Sequence, residues 1–427
     1  MSDKIKNELQ ELLHANVVTA ETAEKIRDYF HQKEAENQNK LSSVFGILGA
    51  ILVGLGIILV FAHNWDTLSR LTKVILSFLP LLIGQIFCGY SLLKKSASTV
   101  WRETASVFLF FAIGASISLV AQVYNIPGDL DSFIITWMLL SLPLVYVLQS
   151  SIVSLLYIAG ITYYGCNANY FTYPSTHSFL YWLLLLGIAP HYYQLVKTKA
   201  LSNFTLFHNW FISISIVICL GTIAHKNGHL LYLSYMSLFT IFYFIGKTTF
   251  FDQQKLKNNS FLIVGKLGIL YLLLLYSFKW FWDKSFYKTD SLAETLLSIE
   301  FIIALLLTVL AAILFYKKNS KTNFKEVSLL ELAFLTNILP FITGYEFSII
   351  ANILVLFIGI FEVKRGIKLN HLGILNFGLL LITILITCRF FDTNLSFVIR
   401  GILFITIGLG FFLTNYFMLK KRNRNEK

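Results

Sequence analysis

Between residues 41 and 419 the chain is a succession of long apolar runs joined by short polar connections. A helix that crosses the hydrocarbon core of a bilayer needs roughly 17–25 mostly apolar residues, at about 1.5 Å of rise each. The spacing of the runs therefore predicts an all-α, polytopic transmembrane helical bundle of about 14 spans. Composition agrees: 56% of the 427 residues are hydrophobic and 14% charged, against about 45–50% and about 25% in soluble domains. A soluble enzyme is excluded, and so are collagen-like, disordered and disulfide-rich chains. The four cysteines (Cys88, Cys166, Cys219 and Cys388) are scattered through apolar segments without pair or metal spacing, and read as small buried hydrophobes.

The spans are expected near 42–62, 74–93, 104–124, 133–149, 151–165, 177–196, 204–224, 229–246, 260–278, 296–316, 328–343, 346–362, 371–388 and 395–416. Stretches 133–165 and 328–362 are too long for one crossing and read as hairpins of short spans. Three parts follow: a cytoplasmic amphipathic helical pair (1–40), a transmembrane helical domain (41–419) and a basic tail (420–427). In the first part Ile5, Leu9, Leu12 and Leu13 share one helical face, Asn16 is a stop, and Thr19 caps a second helix with Ala23, Ile26 and Phe30 on one face. So small a pair must dock on each other, on the membrane surface or on a cytoplasmic partner. The charged first 40 residues lack the apolar segment of a cleavable signal.

The formal charge is +12. With the N-terminus inside, 26 of the 35 Lys and Arg lie on cytoplasmic segments and seven on external ones. This is the positive-inside bias, so membrane lipid and not nucleic acid is the partner that the charge implies, and both termini are expected in the cytoplasm. Three spans end outward on an aromatic followed by Asp: Trp65-Asp66, Trp282-Asp283 and Phe391-Asp392. Interface-belt aromatics and helix caps explain the echo, and a parallel internal repeat is the alternative.

The first third of the chain carries a further pattern: Val17-Val18-Thr19-Ala20-Glu21, the glycines from Gly49 to Gly56, Ala62-His63-Asn64-Trp65-Asp66, Ala121-Gln122-Val123-Tyr124-Asn125-Ile126, Gly128-Asp129, Trp137 and Pro143. Over roughly residues 5–150 it resembles the bacterial predicted membrane proteins grouped as domain of unknown function 2157. Arg400-Gly401-Ile402-Leu403-Phe404 and Gly408 add to the likeness. The resemblance implies a multi-pass protein of a bacterial inner membrane and assigns no activity.

Ionisable groups inside a bilayer cost roughly 2.5–3.5 kcal/mol each on insertion scales, so each is a candidate site. Lys266 and Glu331 lie toward the cytoplasmic ends of their spans, Glu300 and Arg400 toward the outer ends, and each couple is at matching depth for pairing. Snorkelling is the structural alternative. The eleventh span combines Glu331, Asn337 and Pro340, the signature of a broken helix that frees backbone carbonyls; Pro80, Pro143 and Pro190 interrupt other spans. A second candidate is an outer-face cluster of Asn64, Trp65, Asp66, Gln122, Tyr124, Asp129 and Asp131, suited to a cation or a sugar-like ligand, or to helix caps and an interface belt. His225 and His229 flank a turn and make a poor metal site, no metal or cofactor is expected, and the standard hydrolytic signatures are absent. Gly46, Ala50 and Gly54 form a small-residue stripe for close helix packing. Transport or flipping of a small or lipid-linked substrate ranks first. A sensory or assembly protein working through residues 1–40 comes second, and an intramembrane enzyme acting on lipid-linked glycan at the outer face third.

Overall fold

A computed structural model describes residues 9, 11–13, 15, 17–64, 68–171, 179–224, 228–252, 258–285, 292–319, 328–343, 347–392, 398, 401, 402, 405, 406, 408–410, 412 and 416. Among them there is no strand. The chain divides into two compact units, residues 1–205 and 206–427.

In unit 1, Leu9 and residues 11–13 are helical, and Leu9 is buried. Thr19 caps the next helix as expected, accepting the Thr22 N–H at 3.3 Å. That helix, α1 (Ala20–Asn64), runs for 45 residues from the expected soluble segment into the first expected span. At 1.5 Å per residue it is about 67 Å long, roughly twice the hydrocarbon thickness. There follow α2 (Arg70–Lys94), α3 (Thr99–Tyr124), α4 (Leu130–Val147), α5 (Ser151–Cys166) with a π-helical turn at Asn167–Phe171, α6 (Phe179–Leu186) and α7 (Ala189–Thr198). Helix α8 (Asn203–Leu220) starts at the unit boundary. Unit 2 contains α9 (Leu230–Gly246), α10 (Thr249–Asp252), α11 (Ser260–Tyr276), α12 (Lys279–Ser285), α13 (Leu292–Leu297), α14 (Ile299–Asn319), α15 (Leu329–Thr343), α16 (Ser348–Lys368) and α17 (Leu372–Asp392).

Among the described residues, seven segments are long and apolar enough to cross a membrane: α2, α3, α4, α6 with α7, α8 with its 3-10 extension, α14 and α17. Shorter apolar helices lie at Val44–Gly56, in α9, in α11 and at Leu329–Pro340. Of the other expected spans, 42–62 lies within the long α1, those at 151–165, 229–246, 260–278 and 328–343 correspond to short helices, and that at 346–362 lies in α16, which is charged at one end. The last expected span, 395–416, lies largely outside the described residues, as does the stop at Asn16.

Two expected features fall elsewhere. Helix α15 continues through Pro340, whereas the sixth expected span is interrupted at Gly187 and Ile188, where α6 ends and α7 begins with Pro190 in its first turn. Proline is tolerated there because the first helical N–H groups have no intrahelical partner to lose. The aromatics of the second echo are core and not interface: Phe281 and Trp282 are buried, and Trp282 Nε1 donates to the Tyr276 carbonyl at 2.8 Å.

Packing is inverted relative to a soluble bundle. The buried face of α2 is Ser77, Pro80, Gly84, Cys88 and Ser91, while Leu71, Ile75, Phe78, Leu82, Ile86 and Leu93 point outward. Lipid provides no hydrophobic drive between helices, so small residues face inward and let backbones meet. Ser116 of α3 donates to the Ser77 carbonyl at 2.7 Å, and Cys88 Sγ approaches the Ala105 carbonyl at 3.4 Å. The expected stripe on α1 behaves likewise: a Cβ at Gly54 would lie 2.9 Å from Phe111 Cβ, and one at Gly46 3.0 Å from Thr104 Oγ1. Helix α3, packed against α1, α2 and α4, is extensively enclosed. In unit 2 a close crossing joins α9 to α11, where a Cβ at Gly265 would meet the Tyr243 backbone nitrogen at 2.5 Å.

Gly265→Ala should therefore destabilise the protein by about 1–3 kcal/mol, the cost of overpacking against backbone that cannot yield. Gly56→Ala, which meets no atom within 4 Å, should be neutral or stabilising, since alanine is the better helix former. Thermal unfolding of the two variants beside the parent checks the pair.

Candidate functional site

Unit 2 gathers six charged side chains at one end of its helices. Glu331, the third residue of α15, has a fully buried side chain. It accepts from Lys318 Nζ at the end of α14, and Lys247 Nζ, just past α9, lies 3.6 Å from the same oxygen. Helix α9 packs against both α14 and α15, so two helix ends converge on one carboxylate. Nearby, Lys266 of α11 donates to Glu362 of α16 at 2.6 Å, and Arg365 stands 3.8 Å from the other Glu362 oxygen. Tyr243 links the groups. Its hydroxyl pairs with Ser328 Oγ at 3.1 Å and lies in the field of both carboxylates.

The cations are also held by rings: Lys247 over Tyr243 and Lys266 over Phe377, each at 4.4 Å, and Lys318 over Phe244 at 5.5 Å. Cation–π contacts strengthen as the site loses water. The lysine side chains are 25–32% exposed, whereas those of Glu331 and Glu362 are 0% and 7% exposed. Buried carboxylates thus hold down a partly open layer of cations. Four positive groups against two negative ones leave a formal charge of +2, so the layer suits an anionic group.

The expected pairing of Lys266 with Glu331 is replaced by these partners, because α11 packs its Lys266 turn on α16 while Glu331 faces the ends of α9 and α14. Sequence reading missed Glu362, Lys247 and Lys318 as site residues. Glu362 was the last residue of an expected span and the two lysines counted as loop charge; the signal was an acidic residue ending an apolar run inside an otherwise basic segment. Glu300 is buried in the first turn of α14, where a carboxylate suits the helix dipole. Its expected partner Arg400 lies outside the described residues, as does the Asn337 side chain.

In the outer-face cluster, Asp129 caps α4 by accepting the Ser132 N–H at 2.6 Å, and Asp131 accepts from Asn167 Nδ2 at 2.8 Å, tying α4 to the π turn after α5. Tyr124 is half exposed beneath the Arg70 guanidinium, 5.3 Å from its ring centre, and Gln122 is exposed. Trp65, Asp66, the Asn64 side chain and His225 lie outside the described residues. The two aspartates thus have structural tasks, cap and tie. Among the described residues no group of three or more His, Cys, Asp or Glu could hold a metal ion.

Compared with known protein families, residues 10–154 match the one described as predicted membrane protein, domain of unknown function 2157. The match spans α1 to α4 and the first turn of α5; the six-charge cluster of unit 2 lies beyond it. No curated protein and no solved structure matches the chain.

Lysines 247 and 318 share one carboxylate, so losing either leaves Glu331 a partner. Lys247→Met and Lys318→Met should each cost about 1 kcal/mol or less, and the double variant should exceed their sum, because a lone buried charge costs roughly 3–5 kcal/mol. A double-mutant cycle read by thermal unfolding measures the excess.

Proposed function

We propose that the protein moves a small or lipid-linked substrate across a bacterial inner membrane, with both termini in the cytoplasm. In this reading the six-charge cluster holds an acidic part of that substrate. The observation that carries it is the layering in unit 2, where partly exposed Lys247, Lys266 and Lys318 rest on buried Glu331 and Glu362. Charges within apolar helices are expensive, and lysines that served only to anchor the protein to lipid headgroups would not need buried carboxylates beneath them. Each lysine sits on an ion pair that an entering anion can compete for, a natural way to bind and release.

A second reading draws on α1. One uninterrupted helix of 45 residues exceeds the bilayer core by about half its length, so an event at residues 1–40 is mechanically joined to the membrane domain. This favours a cytoplasmic partner, as regulator of transport or as the protein's main task.

Reconstituted proteoliposomes test the first reading with two probes, radiolabelled phosphate uptake and dithionite quenching of fluorescent phosphatidylglycerol. Protein-dependent movement of either probe, reduced about tenfold or more by Glu331→Gln with Glu362→Gln, is the expected result. Movement of neither probe would leave the partner-binding reading ahead.

A further inference from the structure

Unit 1 contains a cleft of about 60 Å³ where α3 begins, α4 turns into α5 and α7 ends. Its lining includes Thr99, Arg102, Gln149, His191, Thr198 and Lys199, together with Glu103. A single water needs only about 10–15 Å³ of such space, so the cleft accommodates a larger polar group. None of these residues figures in the transport reading.

The carboxylate of Glu103, 3% exposed, is fully engaged. Ser150 Oγ donates to it at 2.5 Å, the Ser151 N–H at 2.9 Å and the Ile152 N–H at 3.0 Å, which fastens the first turn of α5 to α3. Its charge faces the positive end of the α5 dipole. The neighbouring Arg102 is differently placed. Nη1 donates to Gln149 Oε1 at 3.3 Å, while its Nε–H is buried without a hydrogen-bond partner.

A guanidinium N–H shielded from water and left unmade is costly, and its fork geometry matches the oxygens of a phosphate. Lys199 also lines the cleft and adds a second cation, and Thr99 and Gln149 add a hydroxyl and an amide donor, while the Thr198 hydroxyl donates to the Gln194 carbonyl at 2.8 Å. Arg102 and Lys199 against Glu103 leave a formal charge of +1. We infer that this cleft binds a phosphate-bearing group, supplied either by the headgroup of an anionic phospholipid or by free phosphate. The inference is independent of whether the protein transports anything.

The test uses the full chain. Native mass spectrometry measures retention of phosphatidylglycerol against phosphatidylcholine, and thermal unfolding measures stabilisation by inorganic phosphate. Arg102→Gln combined with Lys199→Gln should weaken the bound species about tenfold or more, each lost contact being charge-assisted. Lys199→Glu alone, at the exposed edge of the cleft, keeps the test open if the double variant fails to fold. Preferential phosphatidylglycerol adducts that disappear in these variants identify a lipid headgroup. Phosphate stabilisation that disappears without any lipid preference identifies the free anion. Binding of neither probe would overturn the inference. So would binding that survives in the cleft variants but is lost in Lys247→Gln with Lys318→Gln, since the anion would then sit in unit 2.

Discussion

Helices in hydrocarbon satisfy their own backbone groups but gain nothing from burying leucine against leucine, because lipid is equally apolar. The arrangement within each unit depends on that constraint. Large side chains such as Leu71, Ile86 and Leu93 go outward, and Ser77, Gly84 and Ser91 go inward. Helices can then approach until backbone meets backbone, as Gly265 does at Tyr243 and Gly378 at the Gly359 carbonyl, where a Cβ would come within 2.7 Å. Contacts so close replace the missing hydrophobic drive with dispersion and short hydroxyl-to-carbonyl bonds, such as Ser116 to Ser77. Helices α3, α9 and α11 also bury large apolar side chains, Phe110, Phe239 and Leu273 among them, where they meet other helices. Their hydropathy alone does not distinguish them from lipid-facing ones.

Such an interior has little tolerance for charge, and the buried carboxylates sit where charge can be compensated. Glu103 lies in the second turn of α3 and takes three donors from the start of α5. Glu331 opens α15 and takes two lysines from the ends of α9 and α14. Glu362 takes Lys266 and Arg365 near the end of α16. In each case the acid fixes where helix ends meet. A buried ion pair is weak grounds for stability, since desolvation offsets most of its attraction; what it provides here is placement of cations at defined points on an otherwise apolar body.

Much of this was legible in the sequence, and the failures have physical causes. Long apolar runs locate helices because the hydrophobic pattern is local. The Thr19 cap and the Gly46–Gly54 stripe were legible for the same reason, each depending on residues within a turn or two. Partner choice was not: Lys266 and Glu331 are compatible in depth, yet helix packing brings Glu362 to one and Lys247 and Lys318 to the other. Proline was an uneven guide to discontinuity: the expected interruption at Pro190 is seen, as a break at Gly187 and Ile188, whereas Pro80, Pro143 and Pro340 lie inside helices that continue. Aromatic–Asp echoes misled at Trp282, whose indole satisfies a buried carbonyl instead of marking the interface. The outer cluster was open to a ligand or to helix caps and an interface belt, and Asp129 and Asp131 serve as cap and tie, a role that the spacing of Asp129 to Ser132 already permitted.

Positive charge at the ends of membrane helices has a default explanation in topology, so lysine counts alone say nothing about ligands. What separates an anchoring cation from a built one is the group behind it. An anchor needs only water and headgroups in front, and its exposed side chain is free to move. Lys247, Lys266 and Lys318 instead stand between an aromatic face and a buried carboxylate, and Arg102 stands beside Glu103 with one N–H facing no acceptor. Holding flexible side chains this way costs rotamer entropy, which topology alone would not require. Unit 1 and unit 2 each repeat the device on their own helices, although the family match covers only residues 10–154, a part of unit 1. Pre-placed cations of this kind lower the ordering cost of binding an anion, which is why both sites are read as places for an acidic group.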